Sequence, residues 1–185
     1  MKKIVIKYGL WAALITLGLP LIGEIILQSG GGRVDFTTGE IIGYASMAAA
    51  MIFVFLGMKK FRDEVNNGKL SFLEALKVGL LIAVIPAVGF GLYSYVYSEF
   101  LHPEFMDEYY SYSIEQMKES LPEAEFEAKV AELEAQKEMF MNPFVNFFVM
   151  FATVFIIGVI FTLVSSLILK TAGEPDQLEQ NLNLS

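Results

Sequence analysis

Four long apolar runs constrain the folding of this 185-residue chain more than any other feature. A helix needs about 20 apolar residues to cross a hydrocarbon core of about 30 Å. The four runs cover residues 8–27, 41–58, 78–97 and 144–169. None shows the polar face at a 3.6-residue period that a core helix of a soluble protein carries. The sequence therefore predicts an all-α integral membrane protein built as a four-helix bundle.

The first run also has features of a secretory signal peptide, because Met1, Lys2 and Lys3 precede an apolar stretch. Residues 8–27 are longer than an ordinary signal-peptide core, and no Ala-x-Ala-like site follows them. We therefore interpret this run as a membrane anchor, with a cleaved signal as the alternative.

Lysine and arginine are unevenly divided between the two predicted sides of the membrane. Nine lie before span one, between spans two and three, or after span four, and four lie in the other two connections. Connections rich in Lys and Arg stay in the cytoplasm. The sequence therefore predicts a multi-pass protein of the bacterial inner (cytoplasmic) membrane, with both termini in the cytoplasm.

The connection between spans three and four is strongly acidic. Residues 99–143 hold twelve acids and three lysines, a net charge of −9, whereas the rest of the chain has +1. A short helix over residues 109–121 and a second helix after Pro122 are predicted. The second helix carries an apolar stripe at helical spacing: Phe126, Val130, Leu133 and Phe140. We predict an extracytoplasmic helical insert, a hairpin or elbow that stands off the membrane because anionic headgroups repel it.

The remaining connections carry local helix signals. Asn66-Asn67-Gly68 can supply a left-handed helix end, and Ser71 and Glu74 have the spacing of a capping box. Asn142-Pro143 is typical of a cap and first turn, here restarting span four. The predicted membrane domain covers residues 1–170, and residues 171–185 are predicted to be a disordered cytoplasmic tail.

The composition excludes several kinds of chemistry. The chain has no cysteine and one histidine, which removes disulfides, thiolate metal sites and multi-histidine metal sites. No basic face is large enough for nucleic acid. The outer acids form a solvated charged surface and not a catalytic pair. We expect no catalytic, cofactor-binding or metal-binding residues and no enzyme activity.

Small residues recur every four positions along span three: Gly79, Ala83, Ala87 and Gly91. Such a stripe lets another helix approach closely. Packing within the chain, against span two with its Ala45 and Ala49, is one interpretation, and a homodimer seam is the other.

Two polar residues within the spans are candidates for function. Glu24 is the one acid inside a span, near its outer end, and Asn146 begins a polar series along span four that continues with Thr153, Thr162, Ser165 and Ser166. An ionisable group in a membrane suggests a proton or cation path. The alternatives are solvation or pairing of Glu24 with Arg33, and hydroxyl bonds to the helix backbone.

Several short motifs together resemble a known family. They are Lys7-Tyr8-Gly9, Gly57-Met58-Lys59-Lys60-Phe61-Arg62-Asp63, Gly68-Lys69-Leu70-Ser71-Phe72, Ala75-Leu76-Lys77-Val78-Gly79 and Pro103-Glu104-Phe105. The pattern is similar to the bacterial four-span membrane family known as domain of unknown function number 4199. The resemblance covers about residues 1–170 and implies a multi-pass inner-membrane protein. The resemblance implies no activity, ligand or catalytic residue for this chain.

The leading functional hypothesis is a non-enzymatic membrane protein that acts by assembly or interaction through its outer helical segment. Its partners would be the lipid bilayer and either further copies of the chain or another membrane or periplasmic protein, with no nucleic acid and no cofactor. The alternative is a small homo-oligomeric transporter or channel with Glu24 and the polar residues of span four on its path.

Overall fold

A computed structural model of the protein describes residues 1–29 and 36–171, and within them every regular element is helical. In chain order the elements are α1 (Lys2–Ser29), α2 (Phe36–Ala50), α3 (Ile52–Glu64), α4 (Phe72–Val96), a π-helical turn (Tyr97–Leu101), α5 (Phe105–Ser120), α6 (Glu123–Phe140) and α7 (Pro143–Leu169). Among the described residues, four stretches are long and apolar enough to cross a membrane: Lys2–Gly23, Phe36–Glu64, Phe72–Leu101 and Pro143–Leu169. The predicted all-α fold with four candidate spans is confirmed.

The helices of spans two and three are longer than their apolar runs. Span two continues to Glu64 and span three begins at Phe72, because a helix goes on satisfying its backbone hydrogen bonds beyond the apolar core until a cap ends it. Span two is interrupted at Met51, whose N–H is shared between the carbonyl oxygens of Met47 and Ala48 at 3.2 Å each. The apolar pattern gave no sign of this interruption.

The predicted caps are confirmed. Asn67 and Gly68 adopt left-handed backbone conformations with φ of 51° and 80°. The Ser71 hydroxyl accepts a bond from the Glu74 backbone N–H, and the Glu74 carboxylate accepts one from the Ser71 N–H, as a capping box requires. The Asn142 side chain accepts a bond from the Phe144 N–H at 3.0 Å and so begins α7.

The end of α7 is tied to the turn between α3 and α4. The Thr171 N–H donates to the Leu70 carbonyl oxygen at 3.0 Å, and the Leu70 N–H donates to the Thr171 hydroxyl at 2.9 Å. Residues 172–185 of the predicted tail lie outside the described part of the chain.

Helix α4 is the centre of the packing. It lies against α7, α1 and α3, and α3 in turn contacts both α1 and α7. The core contains large side chains that are fully buried, including Met51, Met58, Ile82 and Val154. Large apolar side chains also cover the outward faces of α1 and α7, where lipid rather than water suits them.

Candidate functional site

The small-residue stripe of α4 lies against α7. A Cβ added to Gly79 would collide with Thr162 of α7, and one added to Gly158 of α7 would lie 2.6 Å from the Ala83 Cβ. One added to Gly91 would lie 3.0 Å from the backbone oxygen of Phe147. The two backbones therefore approach closely because small residues line the contact.

The suggested partner of this stripe was wrong. Ala45 is exposed, and the stripe lies against α7 and, at Gly79, against Met58 of span two rather than against Ala45 and Ala49. The physical reason is that α7 supplies Gly158 opposite Ala83, so that small residues meet on both helices. Ala87 is also fully buried within the bundle.

Asn146 is 1% exposed and has its partner within the chain. Its side-chain oxygen accepts a bond from the Ser94 hydroxyl at 2.7 Å, which joins α7 to α4. The Ser166 and Thr153 hydroxyls donate to carbonyl oxygens four residues earlier in their own helix, at 2.7 and 2.9 Å. Asn146 therefore joins two helices, and the Thr153 and Ser166 hydroxyls satisfy carbonyl oxygens of their own helix.

The other polar residues of the spans include two buried threonines and Glu24. The Thr16 and Thr162 hydroxyls are buried and have no hydrogen-bond partner in the described part of the chain, which the sequence did not indicate. Glu24 belongs to α1, but its side chain and Arg33 lie outside the described residues. Among the described residues, no three His, Asp or Glu side chains are grouped to hold a metal.

An aromatic cluster fixes α5 to the first turn of α2. The Phe36 ring lies 5.7 Å from Phe105, 5.6 Å from Tyr109 and 5.2 Å from Tyr112, measured between centroids. Two polar contacts flank these rings. The Tyr109 hydroxyl donates to a Glu40 carboxylate oxygen at 2.7 Å, and the Tyr112 and Thr37 hydroxyls are 3.1 Å apart.

The apolar pattern did not indicate this cluster because Phe36 lies before the apolar run of span two. The available signal was the spacing of Phe105, Tyr109 and Tyr112, which places three aromatic rings on one face of α5.

Burial and hydrogen bonding change the acidity of the tyrosines in this cluster. Burial, reinforced by the bond to Glu40, raises the pKa of Tyr109 to about 12. Burial also raises the pKa of Tyr110, and the nearby Lys137 of α6 opposes that rise. Lys137 pairs with Asp107 of α5, so that an ion pair joins α6 to α5 where the two helices are in contact.

The π-helical turn connects span three to α5. The Tyr97 ring stacks on His102 with centroids 5.0 Å apart and meets the edge of Phe105 at 5.4 Å. Single π-turns are often found at functional sites. Here the turn redirects the chain at the end of α4, so that α5 begins beside the aromatic cluster.

Helix α6 has two apolar faces, of which only one is packed. Phe126, Val130, Leu133 and Phe140 are half-buried. On the opposite side Ala128, Ala131, Ala135 and Met139 are exposed at spacings of three and four residues. We call this second surface the alanine face. Exposed glutamates flank it: Glu127, Glu134 and Glu138 on one side, and Glu125 and Glu132 on the other.

The alanine face borders a surface cleft. Near the junction of α5 and α6, a cleft of about 280 Å³ is lined by Leu121, Glu125, Ala128, Lys129 and Glu132. The exposed part of α6 thus combines a smooth apolar strip, a recess and acidic margins.

A family model described as a protein of unknown function (DUF4199) matches residues 7–171. The chain belongs to this family. No curated protein and no solved structure matches it.

The extent of the family match agrees with the structure. The DUF4199 region ends at Thr171, the residue that bonds to Leu70, and it includes α5 and α6. The helical pair between spans three and four is therefore within the DUF4199 domain. The family description assigns no activity.

Proposed function

We propose that this protein is a non-enzymatic membrane protein that acts by assembly with a partner protein through α5 and α6. The observation that carries the proposal is the attachment of α5 to α2 by Phe36 and by the Tyr109–Glu40 hydrogen bond. A helical pair held in this way keeps the alanine face in a fixed position relative to the membrane spans. A preorganised surface binds with a smaller loss of conformational entropy than a mobile loop.

The chemistry of the alanine face indicates the kind of partner. Small side chains allow a second helix to approach closely, as in other contacts between helices lined by alanine and glycine. On one margin Glu132 pairs with Lys129. Glu127, Glu134 and Glu138 on the other margin would repel the same margin of a second copy and attract lysine or arginine. We therefore favour a partner helix with basic flanks over self-association.

We also propose an orientation for the protein. Nine of its thirteen lysines and arginines lie on the side of the termini and of the turn between α3 and α4. By the positive-inside rule that side is cytoplasmic, and α5 and α6 lie outside. In a bacterial cell this corresponds to the inner membrane, with the alanine face exposed to the periplasm or exterior.

The alternative, a homo-oligomeric transporter or channel, needs polar groups on a surface that copies could share. Asn146, Thr162 and Ser166 are instead buried within the chain. A path between copies would have to use other residues. The packing of this protein therefore supports assembly more than transport.

A mild-detergent pull-down with crosslinking tests the proposal. We expect a crosslinked partner to be recovered with the wild-type protein and not after deletion of residues 105–140. The triple variant Glu127→Gln, Glu134→Gln and Glu138→Gln should lower recovery about tenfold, if each surface ion pair contributes about 0.5 kcal/mol.

The matched control is the triple variant Glu104→Gln, Glu108→Gln and Glu115→Gln, which removes the same charge from exposed positions before and along α5. Recovery should stay near the wild-type value. Equal losses in the two triple variants, or recovery that survives the deletion, would exclude the alanine face as the docking surface.

A further inference from the structure

The cytoplasmic ends of α1 and α3 form a second cleft, at the opposite end of the spans from α5 and α6. Its volume is about 210 Å³, and it is lined by Tyr8, Leu56, Lys59, Lys60, Asp63 and Glu64. The Tyr8 side chain packs on Gly57, where an added Cβ would lie 3.0 Å from the Tyr8 Cβ. The close contact of these helices fixes the floor of the cleft.

The carboxylates of this cleft are neutralised by neighbours. Glu64 pairs with Lys60 one turn earlier, and Asp63 pairs with the Arg62 guanidinium at 2.7 Å. Lys59 is exposed and has no carboxylate oxygen within 4.0 Å in the described part of the chain. The charge of Lys59 acts on Asp63 from a longer distance, but the exposed Lys59 side chain remains accessible to an anion from outside the protein.

An apolar strip leads from the cleft towards the middle of the span. Leu56 lines the cleft and is 40% exposed, and Ile52 one turn further is 55% exposed. Beside them, on α1, the Trp11 ring stacks on Phe53 with centroids 6.3 Å apart. A charged recess that continues into an exposed apolar strip is complementary to a phospholipid, which has a charged headgroup and apolar acyl chains.

We propose that this cleft binds an anionic phospholipid, with the lipid phosphate at Lys59 and an acyl chain along Leu56 and Ile52. Tyrosine and tryptophan are common at this level of a membrane protein, where one end of the ring is apolar and the other is wet. The site does not depend on the partner proposed for α6. It would anchor the α1–α3 contact to the inner leaflet.

Native mass spectrometry of the full chain released from nanodiscs of equal phosphatidylglycerol and phosphatidylcholine tests this site. We expect retained phosphatidylglycerol on the wild type and about fivefold less on Lys59→Gln. That change corresponds to about 1 kcal/mol for one basic residue near a membrane surface. The mass of the adduct distinguishes an intact lipid from free phosphate.

Two further variants separate a site from a general attraction of basic residues. Lys77→Gln removes an exposed lysine at the start of span three, outside the cleft, and should retain lipid as the wild type does. Glu64→Gln releases Lys60 from its ion pair and should raise retention. Equal losses in Lys59→Gln and Lys77→Gln, no rise in Glu64→Gln, or an adduct of phosphate mass would overturn the proposal.

Discussion

Replacing Gly79 with leucine is expected to force α4 and α7 apart where Gly79 faces Thr162. The new side chain would begin in the space occupied by Thr162 and by the Met58 sulfur, which lies 2.8 Å from the position of an added Cβ. Overpacking of a filled core costs about 1–3 kcal/mol, and leucine at this position should be near the upper end. The free energy of unfolding, measured by titration of mixed micelles with a denaturing detergent, should fall by that amount.

Gly18→Leu is the matched control. It makes the same substitution in a membrane span, but among the described residues no atom beyond its chain neighbours and its own helix backbone lies within 4 Å of an added Cβ there. Because glycine lowers helix stability by about 1 kcal/mol relative to good helix formers, this variant should unfold at the same detergent fraction or a higher one. Equal destabilisation of the two variants would contradict the close packing of α4 on α7.

Phe36→Ala is expected to release α5 from α2. The substitution removes the ring that contacts Phe105, Tyr109 and Tyr112, all of them on α5. Removal of a phenylalanine ring from a core costs about 3–5 kcal/mol, and this half-buried ring should contribute near the lower end. Amide hydrogen exchange should accelerate across residues 105–120 and stay unchanged in the spans.

Phe144→Ala serves as the control, because that ring is 71% exposed at the start of α7. Its loss should leave exchange in α5 unchanged. If both variants exchange at the wild-type rate, the aromatic cluster does not hold α5. In that case the alanine face has no fixed position.

Burial of Tyr109 in the same cluster, reinforced by its bond to Glu40, adds a dependence on pH. The pKa of Tyr109 in the folded protein is about 12, above its ordinary value of 10.0. The folded state therefore holds the phenolic proton more tightly than the unfolded state. The associated stabilisation is complete below pH 10 and is lost as the pH rises through 12. In Tyr109→Phe, amide exchange in α5 should be faster than in the wild type at neutral pH. Between pH 10 and 12 the wild type should lose the stabilisation from Tyr109, whereas the variant has no phenol at residue 109 to titrate.

Local chemistry made part of this fold predictable from the sequence. The spans follow from uninterrupted apolar runs, and the capping box at Ser71 and Glu74 follows from side chains that bond to backbone three residues away. The apolar stripe of α6 followed from its spacing in the same way. None of these features depends on which elements become neighbours.

Which helices pack against each other could not be predicted from these local patterns. The stripe from Gly79 to Gly91 indicates that a helix approaches, but small residues occur on α2 as well as on α7. In lipid the apolar faces of all spans are chemically alike, so hydrophobicity does not choose between them. The choice depends on the fit of particular residues, here Gly158 against Ala83.

The aromatic cluster and the alanine face were missed for related reasons. Tyr109 and Glu40 are 69 residues apart, so no local pattern joins them. Alanine contributes little hydrophobicity, so the sequence pattern of the alanine face resembles that of a charged helix surface. Only the burial of the opposite stripe shows that α6 has a second, unoccupied apolar face.

Single-cysteine labelling tests the central proposal, that the basic turn between α3 and α4 is cytoplasmic and that α5 and α6 lie outside. The chain has no cysteine, so each introduced thiol reports one position. In spheroplasts, a membrane-impermeant maleimide should label Ala131→Cys and should label Lys69→Cys only after lysis. Labelling of Lys69→Cys before lysis, with Ala131→Cys protected, would contradict the account.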